Sequence, residues 1–186
     1  MADTNILFPI SLADLVLSSA EYGLFELCWS QDLLDEVERV LVRSKGLRPG
    51  KAALFVQEIA GTFPDGEIYR DDYAAIIGQL SGPDPDDLTH LAAAIGGNID
   101  IVLTANVRDF STATVPIGFH RPAIQKPDDF FCQLIADGLQ EDLIAITIDM
   151  ANRCKNPPMT WPEILARLTI VGLPRLADEL TKGRDD

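Results

Sequence analysis

The chain has 186 residues, of which 47% are hydrophobic, enough for one domain with a real core and a small appendage. Its apolar runs stop well short of the roughly 18 residues of a membrane span, and no secretory signal is visible. Three cysteines (Cys28, Cys132, Cys154) without CxxC spacing exclude a disulfide framework and a zinc site and suit the reducing cytoplasm. Fifteen basic against 29 acidic residues leave a net charge of −14, which repels nucleic acid overall.

Taken in order, the chain opens Asp3-Thr4-Asn5 and an apolar run. If Asp3 ends a central strand, only Met1 and Ala2 precede it, against the roughly five residues usual for a strand. That strand is drastically short, runs on through Ile6 and Leu7, or begins upstream of Met1. Ser11 and Asp14 resemble a capping box for a helix carrying Leu12, Leu15, Val16 and Ala20. Leu24 to Trp29 reads as a short strand. Ser30 caps the next helix, whose apolar stripe is Leu33, Leu34, Val37, Val40 and Leu41. At about 100° per residue, Glu36 falls at the edge of this stripe, where an acid can reach into a cleft. Five basic residues, Arg39, Arg43, Lys45, Arg48 and Lys51, crowd the end of this helix and the start of the next. Ordinary solvated surface is the plainer reading of that run.

Pro49 starts the next helix. Pro64-Asp65-Gly66 turns into a brief strand at Glu67 to Tyr69, and Asp71 or Asp72 caps a helix through Leu80. The most informative stretch follows, from Asp84 to Phe110. Asp84 is an N-cap with Pro85 at the first helical position, and Asp86 and Asp87 sit where the helix dipole favours negative charge. Leu88, Leu91, Ala92 and Ile95 keep helical spacing up to Gly96-Gly97. Ile99, Ile101, Val102 and Leu103 then read as a strand covered on both faces. A polar loop with Thr104, Asn106 and Asp109 follows it, in the place where open parallel sheets form sites. An edge strand is expected near His120 to Ile124. Alternating helices and short strands give an α/β fold with a short, mostly parallel sheet. After Lys126 the pattern is helical only, so residues 1–126 read as the α/β domain and 127–186 as a helical extension.

Four acids can be brought together: Asp3, Glu36, Asp87 and Asp109. Crowded carboxylates raise one another's pKa unless a cation sits between them. Hard oxygen ligands without His or Cys suit Mg²⁺ or Mn²⁺. Such a metal activates water and clamps phosphoryl oxygens, so phosphodiester hydrolysis is the natural chemistry. Singly, each acid has a plainer reading as a solvated, helix-start or turn residue, and Asn106 as a loop hydrogen-bonder. Their joint order and spacing carry the argument. His90, one turn from Asp87, is expected to pack or hydrogen-bond on the helix flank rather than to bind metal.

That ordered set resembles the PIN-domain family, small Mg²⁺-dependent nucleases that include the VapC-type toxins. The matching pieces are Asp3-Thr4-Asn5, Trp29-Ser30 with Glu36-Val37, Asp84-Pro85-Asp86-Asp87 before Leu91-Ala92-Ala93-Ala94, and Thr104 with Asn106 and Arg108-Asp109-Phe110. They span residues 1 to about 126, and Pro127-Asp128-Asp129-Phe130-Phe131 looks like the extension of a longer VapC-like subgroup. The resemblance implies an endoribonuclease with Asp3, Glu36, Asp87 and Asp109 as metal and catalytic carboxylates. Asn5 would support Asp3, and Thr104 would orient water or phosphate. Asn106 stands where the family often has its fourth acid. RNA would approach over Arg43, Lys45 and Arg48. The resemblance further implies a small antitoxin that inserts a basic residue into the acidic cleft, and a homodimer. Two other readings stay open. One is a catalytically silent PIN-like module that binds protein or RNA, favoured by Asn106 and the short first strand. The other is a phosphatase of the haloacid-dehalogenase type. Against it stand Asn5, where that class has a second Asp, and the lack of a Lys after a strand.

Overall fold

The computed structural model describes residues 1–185. In chain order its elements are α1 (Thr4–Leu7), α2 (Ile10–Glu21), β1 (Trp29–Ser30), α3 (Gln31–Lys45), α4 (Pro49–Thr62), β2 (Glu67–Ile68), α5 (Arg70–Ile77), α6 (Pro85–Gly96), β3 (Ile101–Leu103), α7 (Val107–Thr112), β4 (Ala123–Gln125), α8 (Pro127–Ala136), α9 (Gln140–Arg153), α10 (Trp161–Ile170) and α11 (Pro174–Asp185). They form two compact units, one of residues 1–8 and 27–125, the other of residues 9–26 and 126–186.

The first unit is the α/β body. Its strands pair in parallel, β1 with β2 and β3 with β4. The start of the chain adds to β3 as a parallel bridge, Ala2 beside Leu103. The Leu103 amide donates to the Met1 carbonyl, and the Asp3 amide donates to the Leu103 carbonyl, both at 2.9 Å. Among the described residues the first strand is the single bridge at Ala2. Ile6 and Leu7 do not extend it, because Asp3 caps α1 by accepting the Thr4 amide. The strand expected over Leu24 to Trp29 shrinks to Trp29–Ser30.

Two helices set the site. Ser30 Oγ accepts the Leu33 amide at 3.3 Å, and α3 ends at Gly46 in the left-handed region (φ 61°), where glycine avoids a Cβ penalty. Helix α3 buries Leu33, Leu34, Val37 and Leu41 and leaves Glu36 half-buried at the stripe edge. Helix α6 starts as its sequence dictates, with Asp84 accepting the Asp86 amide at 2.9 Å and Pro85 in the first turn. Its C-terminal half, His90 through Ile95, is buried, as expected of a helix apolar on every side. It packs against α5, α7 and α3. The approach to α5 is close enough that a Cβ on Gly96 would stand 2.6 Å from the Asp72 carbonyl oxygen. Phe110, 1% exposed, anchors α7, which replaces the loop expected around Asp109.

The second unit is helical. Helix α2 packs with α9 and α10. Asp14 does not cap with Ser11; it pairs with Arg153 at 2.7 Å. The α8 residue Asp128 accepts the Leu176 amide at the start of α11 at 3.0 Å. The Thr160–Glu163 capping box is present, with the Thr160 amide donating to Glu163 at 2.7 Å. The core is built from Leu15, Phe131, Leu143, Ile146, Leu168 and Leu180, each contributing roughly 1.5–3 kcal/mol by burial.

Candidate active site

Asp3 ends the first strand segment and is 3% exposed. Its Oδ1 accepts the Thr4 amide at 2.7 Å and faces His90 Nδ1 at 3.3 Å. Its Oδ2 accepts the Thr104 hydroxyl at 2.8 Å and the Asn5 side-chain amide. A carboxylate offers about four lone-pair sites, so this one is fully engaged by donors from three chain segments. Asn5 supports Asp3 directly and also accepts the Ala105 amide at 2.9 Å. Thr104 is fully buried. Its hydroxyl lies within this network and accepts the Asn106 amide at 2.9 Å.

Glu36 lies one contact further out. Its Oε2 accepts the Thr4 hydroxyl at 2.8 Å and faces His90 Nε2 at 3.1 Å. The His90 contact, helped by the Thr4 hydroxyl against the effect of burial, holds the Glu36 carboxyl below its usual pKa. His90 is 2% exposed and stands between two acids rather than on the helix flank. Burial alone would lower its pKa, but Asp3 and Glu36 outweigh that and raise it to about 9.

Asp87 and Asp109 form the other half. Asn106 Nδ2 donates to Asp87 Oδ2 at 3.2 Å and to Asp109 Oδ2 at 2.7 Å. Asp109 is thus within reach of the site because α7 turns the chain back. Partial burial, then the charges of Asp3, Asp84 and Asp109, push the Asp87 carboxyl up to about 7, with His90 opposing them.

Arg39 pairs with Asp86 at 3.2 Å, and Lys45 stands 4.4 Å over the Phe8 ring. Arg43 lines a shallow groove of about 330 Å³ with Arg39, Val42, Pro49 and two acids, Asp35 and Glu38. Arg48 is exposed at the start of α4.

Thr4 and His90 complete this network: Thr4 carries no role in the sequence reading, and His90 hydrogen-bonds as expected there, with two acids as its partners. The available signals were adjacency to Asp3 for Thr4, and for His90 the three-residue spacing that puts it on the Asp87 face of α6. As they stand, no three His, Cys, Asp or Glu side chains among the described residues are arranged to hold one ion. The donor chemistry nevertheless suits a hard divalent cation. An Asp87 carboxyl raised by burial and by neighbouring acids is in keeping with such a set without its counter-ion.

A family model of the PIN domain matches residues 1–108, more than half of the chain. A model of the VapC50 C-terminal domain matches residues 127–182. No curated protein and no solved structure matches the chain. Among the described residues, no helix is long and apolar enough to cross a membrane. With Asp3, Glu36 and Asp87 inside the first matched segment and four helices across the second match, the chain belongs to the PIN-domain family, as a VapC-type protein with a C-terminal helical extension.

Proposed function

We propose that the protein is a metal-dependent endoribonuclease, the toxin of a VapBC-type toxin–antitoxin pair, acting in the cytoplasm. The observation that carries this reading is the gathering of Asp3, Glu36, Asp87 and Asp109 around Asn106 and His90. Asp3, Glu36 and Asp87, with Asp109 beside them, would hold Mg²⁺ or Mn²⁺. The bound ion would supply a Lewis acid for the phosphodiester and lower the pKa of water. Within the chain, Thr4, Asn5, Thr104 and His90 fix the carboxylates. Asp87 and Asp109, reached among the described residues by the neutral Asn106 amide alone, are the acids that a cation would relieve most. Substrate would cross the Arg39–Arg43 groove and Arg48. The antitoxin would then present a basic side chain to the same acids, and two copies of the chain would pair.

The test is RNA cleavage by the antitoxin-free protein with Mg²⁺ or Mn²⁺ against EDTA, with Asp87→Asn alongside. Cleavage that needs the metal and disappears in the variant supports the reading. The catalytically silent binding module is the second reading. It is favoured by the donor-saturated Asp3 and by the amide at position 106, and it expects no cleavage from folded protein under any metal.

A further inference from the structure

We propose that His90 is a positioning residue of this site, which ties Asp3 and Glu36 together through its two ring nitrogens. The inference rests on the nuclease reading and assigns it a residue that is neither ligand nor reactant.

The geometry is specific. Asp3 comes from the chain start, Glu36 from the middle of α3, and His90 from the second turn of α6. Nδ1 lies 3.3 Å from Asp3 Oδ1 and Nε2 lies 3.1 Å from Glu36 Oε2. Each nitrogen stands within hydrogen-bond reach of a carboxylate oxygen. The ring is 2% exposed and cannot swing out to solvent. On Glu36 it shares Oε2 with the Thr4 hydroxyl, so among the described residues the bridge does not occupy Oε1 of that carboxylate. The one-turn spacing from Asp87 lets a single helix deliver an outer acid and the clamp for two others. Groups that orient metal carboxylates in this way are worth about 10–100-fold in metal affinity.

The experiment uses the full-length protein as wild type, His90→Phe and His90→Gln, each checked for folding by circular dichroism. Mn²⁺ alone is titrated and free Mn²⁺ is followed by electron paramagnetic resonance. RNA cleavage is then measured at saturating Mn²⁺. His90→Phe keeps ring volume and removes both donors; it should weaken Mn²⁺ binding at least about tenfold and lower kcat with KM for RNA little changed. His90→Gln, whose amide nitrogen can donate to both acids, should restore most of the affinity. A folded His90→Phe with wild-type Mn²⁺ affinity overturns the positioning role and leaves the nuclease reading standing. Wild type that neither binds Mn²⁺ nor cleaves RNA overturns both. A measurement on wild type alone covers the case in which His90→Phe does not fold. The ¹⁵N-labelled imidazole of His90 is observed during titration with diamagnetic Mg²⁺. No metal–nitrogen bond should form at saturation; one would make His90 a ligand and refute the proposal.

Discussion

Replacing Asp87 by asparagine should make the metal-free protein more stable while removing its affinity for a divalent cation. Asp87 has its pKa pushed from 3.8 to about 7, chiefly by burial and by the charges of Asp3, Asp84 and Asp109. The folded state therefore holds this proton more tightly than the unfolded chain does. Stability falls as pH rises from about 4 to about 7 and is lowest above that window. A shift of about three units corresponds to about 4 kcal/mol for a fully buried group. Asp87 is only half-buried, and solvent screening reduces the expected figure to roughly 1–2 kcal/mol. Asparagine keeps the shape and can still accept from Asn106. At pH 8 in EDTA the variant should melt roughly 2–8 °C higher, at about 2–4 °C per kcal/mol for a chain of this size. The gain should shrink toward zero as pH approaches about 4. Adding Mn²⁺ should raise the melting temperature of wild type, by mass action on the folded state, and leave the variant unmoved. Thermal melts by circular dichroism at three pH values, with and without Mn²⁺, read all of this. A variant that melts below wild type at pH 8 in EDTA, with an unchanged spectrum, would refute the account of a strained, cation-seeking carboxylate.

Three further predictions rest on separate observations. His90 is raised from 6.5 to about 9 by Asp3 and Glu36 against the effect of burial, so its stabilising contribution is complete below about pH 6.5 and is lost as pH rises through 9. The amplitude should be about 3 kcal/mol, and urea unfolding of wild type and His90→Gln between pH 6 and 9.5 should show a flatter profile for the variant. Asn106→Asp removes the amide that donates to Asp87 and Asp109 and adds a third carboxylate; it should destabilise the metal-free protein by about 1–3 kcal/mol and bind Mn²⁺ more tightly, both readable by melting with and without the metal. Gly96→Ala would gain about 1 kcal/mol from helix propensity alone, yet its Cβ would stand 2.6 Å from the Asp72 carbonyl oxygen. The overpacking should win and destabilise the protein by about 1–3 kcal/mol in urea unfolding.

The elements that were legible in the sequence are those with a local cause. Helix α6 follows from Asp84, Pro85 and an apolar period, and α3 from Ser30 and Gly46, and both stand where their caps place them. Elements decided by distant contacts were not legible. The apolar residues of Leu24 to Trp29 look like a strand, yet Phe25 meets the Phe130 ring at 5.1 Å and only Trp29–Ser30 pairs. Asp14 reads as the partner of nearby Ser11 but binds Arg153, 139 residues away. Helix α7 is six residues long, too short for periodicity to register, and it is tied down by buried Phe110 and by Arg121, which donates to the Phe110 and Ser111 carbonyls. That miss mattered for the site, because a loop at Asp109 gives no reason for its carboxylate to reach Asn106, whereas the first turn of a helix does.

The same distinction explains the electrostatics of the cluster. Four acids could be proposed from the sequence because strand ends, a helix start and the edge of a helix stripe have local markers. Which of them carries the strain could not, since that depends on which donors reach each oxygen. Asp3 has four donors, and Glu36 has a hydroxyl and an imidazole at one oxygen. Asp87 has the neutral amide of Asn106 at 3.2 Å with acids on several sides. Burial and the repulsion of neighbouring acids therefore act on a carboxylate whose donor is weak. Asp3 and Glu36 are satisfied by the fold itself, while Asp87 stays raised until something positively charged arrives. A divalent ion and a basic side chain of a protein partner would meet the same demand at the same carboxylate. The two should therefore compete, and a partner that silences the site should lower its affinity for Mn²⁺.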